Sequence, residues 1–111
     1  MKIAVSQKEG VTVLAPKGKI TIGVGDVALR DAVSEALEAG ARKLLFDLSG
    51  VSTIDSSGIG ELVSAYTTVT NRGGQLKLAS LPSKVSDILQ ITQLISVFEV
   101  FDTVDEAVEA F

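Results

Sequence analysis

The sequence predicts a small α/β domain built on a mixed β-sheet, with an N-terminal antiparallel hairpin and covering helices in the order β-β-α-β-α-β-α-β-α. Three observations carry this. Apolar residues alternate with polar ones near the N-terminus and then fall at helical spacing in segments separated by short apolar runs. One of those runs, Lys43-Leu44-Leu45-Phe46-Asp47-Leu48, is almost continuous, as in a strand covered on both faces. The chain has 111 residues, enough for one two-layer core and too few for two, so residues 1–111 are read as a single domain.

Taken in order, Ile3 and Val5 alternate with polar neighbours, and Lys8-Glu9-Gly10 offers a turn before Val11-Thr12-Val13-Leu14-Ala15. That is a hairpin signal. Pro16 to Gly25 reads as irregular and glycine-rich. Asp26 is placed to cap a helix whose Leu29, Val33, Ala36 and Leu37 share one face, ending near Gly40. The apolar run from Leu44 to Leu48 is the expected central strand. Ser49 to Ile54 is read as a loop anchored by Val51 and Ile54. From about Ser57 to Asn71, Ile59, Leu62, Val63, Tyr66 and Val69 form the apolar stripe of the next helix, which Arg72-Gly73-Gly74 stops. Gln75 to Ala79 is a short alternating strand. Pro82 and Ser83 open a third helix carrying Val85, Ile88 and Leu89, and Val97 to Phe101 is the last strand. Thr103-Val104-Asp105-Glu106 is a capping box that starts a C-terminal helix with Ala107, Val108 and Phe111. Strands alternating with helices imply parallel neighbours and right-handed crossovers.

Composition excludes several functions. Apolar residues make up 46% and charged residues 22%, an ordinary globular balance. With 14 acidic against 10 basic residues the net charge is -4, so no nucleic-acid partner is expected. No apolar run approaches membrane-spanning length, and Met1-Lys2-Ile3-Ala4-Val5 gives way to polar residues before a signal-peptide core forms. No membrane partner is expected, and the expected location is the cytoplasm. The chain has no His and no Cys, which removes Ser-His-Asp triads, catalytic thiols, disulfides and the common zinc sites.

Three constellations remain. Gly23-Val24-Gly25-Asp26-Val27-Ala28 fits G-x-G-x-x-A ahead of a helix, with Asp47 downstream where a ribose-binding acid would stand. A nucleotide-binding module is one reading; glycines in a loop before a capped helix are the other. Asp47 and Asp55 could hold magnesium, or Asp47 could satisfy loop amides while Asp55 caps a helix.

The third constellation is Ile54-Asp55-Ser56-Ser57-Gly58-Ile59-Gly60. Asp, Ser and Ser are good capping residues, but one suffices, and glycine in a first turn weakens the helix it starts. This stretch follows Leu44 to Val51 and precedes Gly73-Gly74-Gln75-Leu76-Lys77-Leu78. In that context it resembles the STAS family of anti-sigma-factor antagonists, with similarity continuing through Val85, Leu89, Leu94 and the strand at Phe98 to Phe101.

The resemblance implies a small mixed sheet with helices and a switch run by phosphorylation. Its acceptor would be Ser56, the serine directly after the motif aspartate, with Ser57 as the alternative. The unmodified protein would bind a serine-kinase anti-sigma factor through Asp55, Ser56, Ser57, Gly58, Ile59 and Gly60. A metal-dependent serine phosphatase would reset the phosphorylated form. The chain would then be a substrate and not an enzyme, with no cofactor of its own. A STAS scaffold in another signalling assembly is the alternative. In this reading Ser57 caps the helix through its hydroxyl, and Gly58 and Gly60 let a partner's backbone approach. Two departures from the family pattern stand out. The stretch from Lys17 to Gly25 is longer and richer in glycine, a surface that could border a partner. Gln90-Ile91-Thr92-Gln93-Leu94 lacks the glycine often found before that leucine.

Overall fold

The computed structural model describes residues 1–111. The chain begins with a hairpin, β1 (Lys2–Lys8) and β2 (Val11–Ile20), in which Lys8 pairs with Val11 across Glu9 and Gly10. Both loop residues have positive φ, 51° and 82°, the geometry that suits the twist of a two-residue hairpin. Then follow α1 (Asp26–Glu38), β3 (Lys43–Asp47), β4 (Val51–Ile54), α2 (Ser56–Asn71), β5 (Gln75–Ala79), α3 (Ser83–Ile91), a 3-10 turn (Leu94–Ser96), β6 (Glu99–Phe101) and α4 (Val104–Glu109). The sheet runs β1-β2-β3-β5-β6, with β4 paired to β2. Only the β1–β2 pair is antiparallel.

β3 is central, as its apolar run predicts, and its alternation divides the two cores. Leu44 and Phe46 enter the larger one with Leu29, Val33 and Leu37 of α1, Ile59, Leu62 and Val69 of α2, and Val85 and Leu89 of α3. Leu45 points the other way, to Val11, Val13, Ala79 and the Ala107 and Val108 of α4. Three helices therefore cover one face and the short α4 the other. On the α4 face Lys77 is buried, ion-paired to Glu99, with its ammonium 5.0 Å from the Phe111 ring centroid and 5.9 Å from that of Phe101.

The helix ends follow local chemistry. After α1, Gly40 takes a left-handed φ of 98°, and the N–H groups of Gly40 and Ala41 donate to the carbonyls of Leu37 and Ala36, a Schellman closure. α2 closes the same way: Gly73 and Gly74 donate to Thr70 and Val69. Thr103 Oγ1 accepts from Glu106 N at 3.1 Å, as the capping box requires.

Several boundaries differ from those expected. The stretch from Pro16 is not irregular throughout, because β2 continues to Ile20. It changes neighbours on the way. Thr12 to Leu14 pair with β3, and Gly18 to Ile20 pair with β4, with a register shift at Gly18 and Lys19. Pro16, which has no N–H to give, falls in the interval between them. Ser49 to Ile54 is not all loop, since Val51–Ile54 is β4. Asp26 is the first residue of α1, and Gly25 is its N-cap. The last strand begins at Glu99, because Val97 closes the 3-10 turn by donating to Leu94 O and Phe98 still bends away from the strand. Val63 and Tyr66 pack at the flank of the α2 stripe; Gly58, Ile59, Leu62, Ala65 and Val69 fill its centre.

Leu62 is fully buried. Leu62→Ala should cost about 2–5 kcal/mol, read from urea unfolding, since the helix can close only part of the cavity; an unchanged midpoint would put Leu62 outside the core. Gln93, which precedes Leu94 where the resemblance led to an expected glycine, is exposed and held at φ 62°. Gln93→Gly should relieve that conformation and raise stability by about 1 kcal/mol in the same assay. A loss of stability would show that the Gln93 side chain contributes more than its backbone costs.

Candidate functional site

The site forms where β2 and β4 end and α2 begins. Ile54 closes β4 inside the core, and Asp55 turns the chain with extended backbone (φ -111°, ψ -172°) as the N-cap of α2. The two carboxylate oxygens of Asp55 serve different elements. Oδ1 accepts from Gly58 N at 3.0 Å, within the first turn of α2. Oδ2 accepts from Ile22 N at 3.0 Å, in the turn that joins β2 to α1. Asp55 N donates to Ile20 O at 3.3 Å, and Asp55 O accepts the first helical bond from Ile59 N at 2.9 Å. The N–H groups of Gly58 and Ile22 hold the Asp55 carboxyl below the usual carboxylate range, because both bonds favour the charged form.

Gly58 explains why this helix starts with glycine. A Cβ there would stand 2.2 Å from Ile20 O and 2.6 Å from Ile54 Cγ1. The close approach expected from a partner's backbone is made at Gly58 by the chain's own β2. Gly60 differs: it is exposed, with open space where a Cβ would lie. The residues proposed to touch a partner therefore divide. Gly58 and Ile59 are buried, while Ser56 and Gly60 are exposed and Asp55 and Ser57 are half-buried.

The capping bond comes from Asp55, which corrects the expectation that the Ser57 hydroxyl makes it. Neither serine hydroxyl is committed to another protein group. Asp47, the other carboxylate of the sequence pair, accepts from Ser49 N at 3.1 Å and orders the turn before β4. Asp47 thus serves its own turn, while Asp55 caps α2 and also holds the turn before α1.

The glycine-rich turn is closed. Thr21 and Val24 exchange both backbone bonds, at 2.7 and 2.9 Å, around Gly23 with φ 71°. Within Gly23 to Ala28, Val24 N is held by Thr21 O and Val27 N by the Asp26 carboxylate, whose negative charge at the start of α1 opposes a phosphate there. The turn presents Ile22 instead, its side chain 74% exposed, beside exposed Val24 and Val27. Sequence reading missed Ile22 because its link to Asp55 runs from its backbone N–H to a carboxylate 33 residues away. It also missed Arg30, whose Nη2 lies 2.5 Å from Glu61 Oε1 and ties α1 to α2.

Comparison with known proteins bears on this arrangement. The family model of the STAS domain matches residues 2–107. Among solved structures, a protein from Thermotoga maritima is 28% identical with a TM-score of 0.89, over 97% of this chain and 92% of its own. An anti-sigma factor antagonist from Mycobacterium paratuberculosis is 25% identical with a TM-score of 0.87, over 98% and 92%. An anti-sigma-factor antagonist (STAS) domain protein from Planctomyces limnophilus is 26% identical with a TM-score of 0.85, over 97% and 96%. No curated protein matches the sequence.

The Asp55 junction has a pH signature. Its carboxyl titrates lower in the folded than in the unfolded chain, so its contribution is complete above the unfolded value and disappears as pH falls through the folded one. Asp55→Ala should lower the thermal midpoint at neutral pH, and the gap from wild type should narrow as pH falls below the usual carboxylate range and the Asp55 charge is lost. A gap of constant size across that range would show that the carboxylate bonds are not what Asp55 contributes.

Proposed function

The chain belongs to the STAS domain family, and from that membership we propose that it is an anti-sigma-factor antagonist controlled by phosphorylation of Ser56. Unmodified, it binds a serine-kinase anti-sigma factor through the surface around Ser56, Ser57 and Gly60. Phosphorylation makes it let go. The likeness to the mycobacterial and planctomycete antagonists along nearly the whole chain supports the class. The observation that carries the mechanism is the placement of Ser56: exposed, its hydroxyl free, directly after a residue pinned by four hydrogen bonds to backbone groups.

The chemistry belongs to the partners. Ser56 Oγ attacks the γ-phosphorus of ATP in the kinase, the bond to the bridging oxygen of ADP breaks, ADP leaves, and the hydroxyl proton passes to a base or solvent. A metal-dependent serine phosphatase reverses the state with water as nucleophile, releasing inorganic phosphate and restoring the hydroxyl. This chain supplies a rigid acceptor.

The added charge of about -1.5 to -2 is tolerated in the free domain, because Ser56 is solvated and sits at the positive end of α2. Docking would strip that water from a dianion beside the Asp55 carboxylate, and desolvating like charges weakens the complex. The same reasoning makes the chain a regulator and not an enzyme.

Ser56→Ala should bind the kinase and resist phosphorylation. Ser56→Asp should bind several-fold more weakly than Ser56→Ala, measured by titration of the purified pair. Ser57→Ala should still be phosphorylated, with phosphate mapped to residue 56 by peptide mass. Equal binding by the Asp and Ala variants, with neither serine ever modified by kinase and ATP, would overturn the switch.

A further inference from the structure

Ser56 and Ser57 are neighbours in sequence but not in direction. Successive residues of a helix turn by about 100°, so the two side chains leave α2 on different sides. Glu61, Ser64 and Thr68 line a small cleft against Arg30 and Ser34 of α1, which fixes the side of α2 that faces α1. Ser57 belongs to that side. It stands four residues before Glu61, where side chains on a helix surface lie about 5–6 Å apart between Cβ atoms. Ser56 shares its direction with exposed Gly60 and Thr67, facing solvent.

Arg30 is the cation on the Ser57 side. It is bound to Glu61 through Nη2 at 2.5 Å and Nε at 3.4 Å, and its own side chain is largely exposed, so the guanidinium has room to move by one side-chain position. Asp26 and Asp31 on α1 add to the negative surroundings that hold it charged.

We propose that Arg30 makes the two serines inequivalent: a phosphoryl group on Ser57 would be met by the Arg30 guanidinium, while one on Ser56 stays without an internal counter-charge. A phosphoserine dianion beside Glu61 accepts from the guanidinium fork with more charge than the Glu61 carboxylate does. Arg30 would then bridge phosphate and Glu61, neutralising most of the added charge and bracing α1 against α2. On Ser56 the dianion points away from Arg30, toward solvent or a docked partner. Arg30 is thus a specificity-determining residue for the switch, the reason that modification at 56 and not at 57 presents bare charge to the kinase. This rests on the phosphorylation reading above.

The experiment places genetically encoded phosphoserine at 56 or at 57 in the full chain, each with Arg30 and with Arg30→Gln, and follows the phosphate by 31P NMR titration with no partner present. The free group ionises a second time near pH 6. At 57, Arg30→Gln should raise that midpoint by about half a unit or more, because a cation that favoured the dianion is gone. At 56 the same substitution should move it little. Glu61→Gln, which leaves Arg30 in place and removes its competitor, should lower the midpoint at 57 further, and it provides the test should Arg30→Gln fold poorly. Phosphate at 57 indifferent to both substitutions, or phosphate at 56 responding as strongly, would overturn the role of Arg30. Kinase binding of the same proteins is read separately. Phosphorylation at 56 should cost more affinity than at 57, and Arg30→Gln should narrow the difference. If the titrations behave as expected but neither phosphoprotein releases the kinase, the switch reading falls and the placement of Arg30 stands.

Discussion

One carboxylate bridging two backbone amides fixes the geometry on which the rest of the site depends. Asp55 accepts from Gly58 in α2 and from Ile22 in the turn before α1, and its own N–H reaches the carbonyl of Ile20 at the end of β2. The start of α2, the turn before α1 and the end of β2 are thereby referred to a single residue. The partners are all backbone groups, so the Asp55 carboxylate is the one rotamer the junction has to set. Charge matters as well as shape, since a carboxylate accepts both bonds more strongly than a neutral group. Gly58 completes the junction by letting the first turn of α2 lie against Ile20 O, where any Cβ would collide.

Much of this fold was legible because local and tertiary signals agree. Leu44, Leu45 and Phe46 read as a strand buried on both faces, and they are, since α1 to α3 lie on one side and α4 on the other. Glycines after α1 and α2, and Thr103 before α4, mark ends by local bonds that a sequence carries openly. What stayed hidden was set by distant partners. Val51-Ser52-Thr53-Ile54 has two polar residues in four and becomes strand only because the second half of β2 is there to pair with it. Pro16 and Gly18 looked like strand breakers, yet they fall where β2 changes neighbours, the place where a missing N–H and a register shift do least harm.

The residues of the candidate site could be picked out in the sequence, but the local role of each could not. Its motif could be found without knowing which of three capping residues does the capping. Asp55 takes that role because it alone precedes the helix in extended conformation, which leaves both hydroxyls free. Gly58 and Gly60 looked alike on the page. One is a packing requirement and the other is an open surface, and only the position of Ile20 tells them apart. Ile22 and Arg30 carried no local signal, because their roles depend on residues more than 30 positions away.

The proposed switch separates shape from charge. If the acceptor were part of the cap, phosphorylation would pull apart the bonds that start α2, and the response would be paid in stability. Here the cap is made by Asp55 and the packing by Gly58, so Ser56 can change its charge by about two units while those bonds remain in place. The consequence is felt only where solvent is removed. In the free domain water screens the added charge beside Asp55, and in a docked complex it cannot. In the proposed switch it is the difference between those two environments, and not a rearrangement of the fold, that would give one exposed hydroxyl its leverage over a partner.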